Sequence, residues 1–406
     1  MTSISSESEL IKKGDFVILK TDCILRLVHL DKKKPQFLMK RKINLCAAIG
    51  HPFGSFFEIK QNGDLIKVSN SEALKSVRID VISPEETKDN RSLFDNGNNQ
   101  KLTTDDIETF KASGMSGQEV VQKIVENSTS FHEKTVFAKE KYLKKKEKKY
   151  LKYIKVLKPN VRLLADMYNT QAPLKISNLR MDSLSQMITF CNVMSGGKYM
   201  VIENVMDLLV TAVIDKLGVE GFAVQLHMKP FSIQPNPQVV QALSITEEQL
   251  QAIHFNIDLK SAISLLEDDV EDMIVDYSDN GSLGVSHVTE KAQKKKKHID
   301  DAKAILRQKN MDGLLVAVKN HPANVLSLLD FLSDSRPFAI FSMYQEPLVD
   351  CYVKLKARGD IILLNISDTW LRKFQVMPER THPCYTMRGH GGFLLTGLKV
   401  ALKPKT

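Results

Sequence analysis

Residues 198–228 read KYMVIENVMDLLVTAVIDKLGVEGFAVQLHM, and their pattern decides the fold. A short apolar run at 198–203 suits a buried strand, residues 206–217 carry apolar side chains at helical spacing, and 222–228 form a second strand. Strand, helix and strand in close succession make one crossover of a parallel sheet, which is right-handed. The alternation continues on both sides. Helices at 162–168 and 181–189 precede it, and strands at 313–318, 338–343 and 361–366 follow with helices at 324–332 and 348–358 between them. A last strand at 393–400 suits an added antiparallel edge. The pattern predicts a doubly wound α/β domain over residues 159–406.

Such a sheet binds its ligand at the carboxyl ends of the strands, beside the first crossover, where a glycine-rich turn lets the backbone approach the cofactor. Here that turn is Ile202-Glu203-Asn204-Val205-Met206-Asp207, with no glycine. An adenosylmethionine-dependent enzyme needs an acid followed by glycines at this point, because Cβ atoms would collide with the ligand. Val205 and Met206 would fill the space. The next strand should end in an acid for the ribose hydroxyls, yet it ends Gln225-Leu226-His227-Met228. The sequence therefore predicts a domain that lacks a cofactor site. Gly196-Gly197 lies before the strand and reads as the turn into it.

The totals bound the partners. A chain of 406 residues, 43% of them hydrophobic, can bury two sizeable cores. No run approaches the length of a membrane span, and the amino-terminal MTSISSESELIKKGD has no signal-peptide apolar centre, so no membrane partner is expected. The formal charge of +9 favours a polyanion, and nucleic acid before a membrane surface. Cys23, Cys46, Cys191, Cys351 and Cys384 are scattered without zinc-ligand spacing, which points to a reducing compartment, cytosol or nucleus.

Residues 14–82 read as strands, GDFVILKT, CILRLVHL, QFLMKRKINLCAAIG, SFFEIKQ and DLIKVSN, with a hairpin signal at Asn62-Gly63. They predict a small β-barrel within residues 1–88. Residues 89–158 read as a polar linker and helical bridge. A helix starts after Thr103-Thr104-Asp105, and Ser116 with Glu119 forms a capping box for the next. The bridge ends in the lysine-rich EKTVFAKEKYLKKKEKKYLKYIKVLK, residues 133–158. Were 136–155 one helix, Lys141, Lys145, Lys148, Lys152 and Lys155 would recur at intervals of four and three on one face, with Lys144 and Lys149 beside them. Val136, Leu143 and Tyr150 would form an apolar seam on another. Lysine runs are commonly solvated faces, but Tyr142, Tyr150 and Tyr153 interleave here and could stack on nucleotides.

Residues 230–300 interrupt the α/β pattern. KPFSIQPNPQ is proline-rich, SLLEDDVEDMIVDYSDNGS acidic and KAQKKKKH basic, a sequence of blocks expected of a flexible surface insertion. Lys294–Lys297 reads as a mobile accessory to RNA contact rather than a site. Arg388-Gly389-His390-Gly391-Gly392 lacks the Lys-Ser/Thr of a phosphate loop and precedes a strand, so it reads as a tight turn. His321-Pro322 and His382-Pro383 read as structural turns. No metal-ligand cluster and no nucleophile-base constellation can be assembled, so no catalytic residue is assigned. Lys319 directly follows the strand at 313–318, on the edge where ligands of such sheets sit; it is either a solvated charge or a phosphate clamp. Arg336, Arg372, Arg380 and Arg388 are further candidate RNA contacts, for which the solvated reading is preferred.

Several phrases resemble one family. They are IGHPFGS at 49–55, Asp89-Asn90-Arg91, QKLTTDDI at 100–107, SGMSGQEVVQKIVENSTSFHEKT at 113–135, EKYLKKKEKKY at 140–150, SRPFAIFSMYQEPL at 335–348, DTWLRKFQVMPERTHP at 368–383 and GHGGFLLTG at 389–397. The chain resembles the non-catalytic subunit of the eukaryotic two-subunit tRNA adenine-N1 methyltransferase, which acts on adenine 58 of the T-loop. The resemblance implies an amino-terminal β-barrel and a Rossmann-like methyltransferase domain. It also implies a heterotetramer with two copies of each subunit, nuclear localisation, and adenosylmethionine and catalysis in the partner alone. It implies that Lys319 contacts tRNA near the target adenine and that the lysine stripe tracks its backbone. Two other readings stay open at this point: an RNA-binding component of the translation initiation machinery, and an active methyltransferase with an atypical pocket.

Overall fold

A computed structural model describes residues 9–21, 24–31, 36–38, 41–60, 62–70, 100–113, 115–131, 134–150, 153–218, 220–228, 235–267, 290–376, 381–385, 387 and 389–401. The chain divides into two compact units, Met1–Pro159 and Asn160–Thr406.

In the first unit, β1 (Phe16–Lys20), β2 (Leu25–His29), β5 (Phe56–Ile59), β6 (Leu65–Val68) and β7 (Tyr153–Leu157) form an antiparallel sheet in the order β2-β1-β7-β5-β6. The hairpin β3 (Gln36–Leu38) and β4 (Arg41–Ile43) lies beside it; its Leu38 and Ile43 share a core with Val17, Leu19, Phe57, Ile154 and Val156. The long strand expected over QFLMKRKINLCAAIG is thus this hairpin followed by a 3-10 turn at Leu45–Ala48, capped by the Asn44 side chain on the Cys46 amide. The predicted hairpin at Asn62-Gly63 joins β5 to β6. Gly63 has φ +89° and a Cβ there would stand 2.2 Å from the Lys42 carbonyl, so only glycine fits.

Helices α1 (Thr104–Ala112), α2 (Gly117–Glu126) and α3 (Val136–Tyr150) follow. Ser116 and Glu119 form the predicted capping box on α2, and Glu58 of β5 accepts the Gly117 amide at 2.9 Å. The lysine-rich stretch is not one helix through residue 155. It breaks after Tyr150, and Tyr153–Leu157 enters the sheet between β1 and β5. Ile154 and Val156 are fully buried while Tyr153, Lys155 and Leu157 alternate with them. This period of two was masked because Lys152 and Lys155 also fit a helical spacing.

In the second unit, α4 (Val161–Gln171) and α5 (Met181–Phe190) precede β8 (Lys198–Glu203), α6 (Leu208–Leu217) and β9 (Phe222–His227). Next come α7 (Pro237–Ala242), α8 (Glu247–Ile253), β10 (His254–Asp258), α9 (Leu259–Glu267) and α10 (Glu290–Arg307). The run closes with β11 (Gly313–Ala317), a 3-10 segment at Pro322–Phe331, β12 (Pro337–Ser342), α11 (Glu346–Arg358), β13 (Ile361–Trp370), the short pair β14 (Phe374–Gln375) and β15 (His382–Pro383), and β16 (His390–Lys399). Seven strands make one sheet in the order β10-β9-β8-β11-β12-β16-β13, parallel from β10 to β12, with β16 antiparallel to both its neighbours. The central strands are buried on both faces, as their unbroken apolar runs require.

Two expectations need correction. The last strand is not an edge: β16 lies between β12 and β13, and the adjacent Leu394 and Leu395 are both fully buried because each faces a covered side of the sheet. The edge is β13, whose bulges near Ile362 and Asp368 obscure its ten-residue length. Residues 230–300 are not a bare insertion either. They supply α7, α8, the edge strand β10, α9 and the start of α10; residues 230–234 and 268–289 lie outside the described set. Strand β10 escapes a hydrophobicity reading because two of its buried residues, His254 and Asn256, are polar.

Candidate cofactor turn and nucleic-acid interface

The first crossover turn is built from side chains that bind one another. Val205 is fully buried, and Met206 and Asp207 take φ values of +65° and +59° without being glycine. Two consecutive left-handed residues store strain of about 1–3 kcal/mol each, so the surroundings must hold them. Glu203 ends β8 with its carboxyl turned onto the first turn of α6, accepting the amides of Leu209 and Val210. Burial, reinforced by the nearby Asp207, pushes this carboxyl up to about 8 against the pull of those amides.

Asp207 Oδ1 accepts Gln225 Nε2 at 2.9 Å, and its Oδ2 accepts the Asn236 amide at 2.8 Å. The other end of the Gln225 amide meets His254 Nε2 at 2.9 Å; His254 Nδ1 lies 3.4 Å from Asn256 Nδ2; Asn256 Oδ1 meets His227 Nε2 at 2.8 Å. Since the Gln225 nitrogen already donates to Asp207, its oxygen must accept, which puts the His254 proton on Nε2 and leaves Nδ1 bare. The donations then run in one direction, His227 to Asn256 to His254 to Gln225 to Asp207, between β9 and β10 and on to the turn after β8. A bare Nδ1 requires neutral imidazole, and burial, with His227 and His298 nearby, depresses His254 to about 3. Asp207, Gln225 and His227 lie in the turn and strand end that the sequence points to, whereas His254 and Asn256 do not; alternation of polar residues at 225, 227, 254 and 256 was the available signal.

The predicted cationic residues fall into separate groups. On α3, Lys141, Lys145 and Lys149 are exposed, and Lys144 and Lys148 lie on the same helix. Lys152, Arg380 and Arg388 lie outside the described residues. Lys155 belongs to β7, its ammonium 4.9 Å from the centre of the Phe56 ring. The tyrosines serve packing: Tyr142 sits 5.6 Å from Phe131, beside a core of Val121, Val125 and Leu143, and carries the ammonium groups of Lys134 and Lys146 over its ring at 4.6 and 5.1 Å. Tyr150 packs on the same core under Lys149, and Tyr153 is in the sheet.

Lys319 is exposed just beyond β11, at the carboxyl edge of the sheet, where Asn204 joins the ends of β8 and β11 by accepting the Lys319 amide and donating its own to Ala317. Arg336 stands at the opposite edge, paired at 3.1 Å with Asp312, which also accepts the Lys198 amide. The structure therefore does not bring Lys319 and Arg336 together. Arg372 is exposed, its guanidinium 5.8 Å from the centre of the Trp370 ring.

Sequence reading missed Arg180. It is 6% exposed, pairs with Asp182, and donates to the carbonyls of Gly389 and Thr369 at 2.6 and 3.1 Å. Ser183 adds bonds to Thr369 and Gly391. Gly391 and Gly392, expected in a tight turn, begin β16 instead; a Cβ on Gly391 would lie 2.7 Å from the Arg180 guanidinium. His321 caps the 3-10 segment through the Ala323 amide, and His382-Pro383 forms β15. Among the described residues no group of acids, histidines and cysteines could hold a metal.

The sheet order with its inserted antiparallel strand defines the class, a Rossmann-like methyltransferase fold. It is similar to a SAM-dependent O-methyltransferase of Thermotoga maritima, 12% identical with TM-score 0.52 over all of both chains. It is also similar to the tRNA (m1A58) methyltransferase TrmI of Aquifex aeolicus, 10% identical with TM-score 0.50 over 97% of this chain and all of that one. Residues 10–304 match the Gcd10p family, and the chain belongs to that family. Its relatives include the "tRNA (adenine(58)-N(1))-methyltransferase non-catalytic subunit TRM6" of Mus musculus, 35% identical over 96% of this chain and 88% of the relative. The subunit of the same name in Dictyostelium discoideum is 29% identical over 98% and 81%.

Proposed function

We infer that this chain is the non-catalytic subunit of a tRNA adenine-58 N1-methyltransferase, working with a catalytic subunit. The observation that carries the inference is whole-length similarity to named non-catalytic subunits combined with a first crossover turn filled by its own side chains. The residues present do not fit adenosylmethionine. Val205, Met206 and Asp207 stand where a glycine turn would admit it, and β9 ends Gln225-Leu226-His227 with no acid to hold a ribose. The cofactor accordingly belongs to the partner. No step of methyl transfer is assigned to this chain, and its part is to hold tRNA and complete the assembly, two copies of each subunit acting in the nucleus.

Exposed lysines at 141, 145 and 149, with Lys144 and Lys148 on the same helix, are proposed to follow the tRNA backbone, and Lys319 to contact it near the target adenine. Arg336 is tied to Asp312 and is assigned a structural role. Closure of the amino-terminal sheet into a barrel is proposed as well, supported by the core that Leu38 and Ile43 of the β3–β4 hairpin share with it. The test is reconstitution. N1-methyladenine should form in tRNA only when both subunits are present; methyl transfer by this chain alone would overturn the reading.

A further inference from the structure

The two halves of α10 follow different rules. From His298 onward the helix is docked: Ala302 and Leu306 are fully buried, Ile299 and Ile305 pack on the same core, and the His298 ring lies 6.4 Å from Phe255 of β10. Positions 299, 302 and 306 are an apolar stripe at helical spacing. Continued upstream, that spacing reaches Lys295 and Ala292, so the stripe ends where the lysines begin. Between Lys291 and Lys297 stand five lysines and no acid, and Lys296 and Lys297 are exposed. These cations occupy the amino-terminal half of a helix, where the macrodipole disfavours positive charge. Acids stand four residues from Lys294, Lys296 and Lys297, namely Glu290, Asp300 and Asp301, but Lys291 and Lys295 stand four apart as like charges, which helix stability does not call for.

We propose that the first two turns of α10, residues 290–297, form a phosphate-binding arm that grips tRNA from the β10 edge of the second unit, distinct from the lysines of α3. The proposal rests on the tRNA reading above. RNA fits better than an anionic membrane, because an interfacial helix needs a broad apolar face opposite its cations and KAQKKKK offers only Ala292. Lysines act here as point charges that orient a backbone without reading sequence. Phosphates at the arm would also cancel the unfavourable helix-end charge, so binding and helix order reinforce each other.

The test uses the two-subunit complex. Lys294, Lys295, Lys296 and Lys297 are replaced together by Gln, folding is checked by thermal melting, and tRNA affinity is measured between about 50 and 200 mM salt. With each lost phosphate contact lowering the slope of log affinity against log salt by about 0.7–0.9, the slope should fall by roughly 2–4. KM for tRNA should rise with kcat unchanged, and the fourfold Lys→Arg variant should restore both. Should the Gln variant fail to fold, single Lys→Gln changes must show a graded fall in slope. A wild-type slope in the folded Gln or single variants, in an assay where the wild-type complex binds tRNA, overturns the arm alone. Failure of the wild-type complex to bind tRNA overturns the function reading with it.

Discussion

At Gln225 an amide sits 2% exposed within a parallel sheet, and both of its ends are used, one by Asp207 and one by His254. Gln225→Leu would keep the volume and orphan both groups. At about 1–3 kcal/mol for each buried group left unsatisfied, the second unit should lose roughly 2–5 kcal/mol, read as a lower urea midpoint. A loss within about 0.5 kcal/mol would mean that water replaces the amide. The same cluster sets a pH dependence. Glu203, raised from 4.5 to about 8, contributes stability that is complete below the unfolded value and is lost as pH rises toward 8. His254, lowered from 6.5 to about 3, contributes stability that is complete above 6.5 and is lost as pH falls toward 3. Stability should therefore be nearly level between about 4.5 and 6.5 and decline on either side, by up to about 1.4 kcal/mol per pH unit. A monotonic rise from pH 5 to 8 would contradict the Glu203 assignment. Sequence showed the missing glycines at 204–207 but not the relay beside them, because residues 207, 225, 254 and 256 meet only through the sheet register.

Elements with one dominant period were legible in the sequence. Strand β8 and the capped start of α2 fall where their residues place them, since an unbroken apolar run and a Ser-x-x-Glu box each admit few alternatives. Elements in which two periods compete were not. Lys141, Lys145, Lys148, Lys152 and Lys155 fit a helix, yet Ile154 and Val156 alternate as a strand, and burial in the core between β1 and β5 outweighs lysine spacing. Ile154→Ala should then destabilise the first unit by about 2–5 kcal/mol, as removal of a fully buried side chain does. A surface-like loss below about 0.5 kcal/mol would return residues 153–157 to the lysine helix. Strand β10 was hidden for another reason: its polar positions are satisfied by each other and by neighbours brought from β9.

On the scale of the whole molecule, a net charge of +9 favours any polyanion, and the fold alone favours any methyltransferase. Together with a glycine-free first crossover turn and the Gcd10p family match, they support the proposed reading, a chain that keeps the methyltransferase architecture for assembly and tRNA binding while another subunit does the chemistry. That division of labour has a simple stoichiometric consequence. Titration of the purified two-subunit complex with adenosylmethionine should saturate at one cofactor per pair of chains, with affinity unchanged by Asp207→Ala in this chain. Saturation at two per pair, with one site lost in the Asp207→Ala complex, would contradict it.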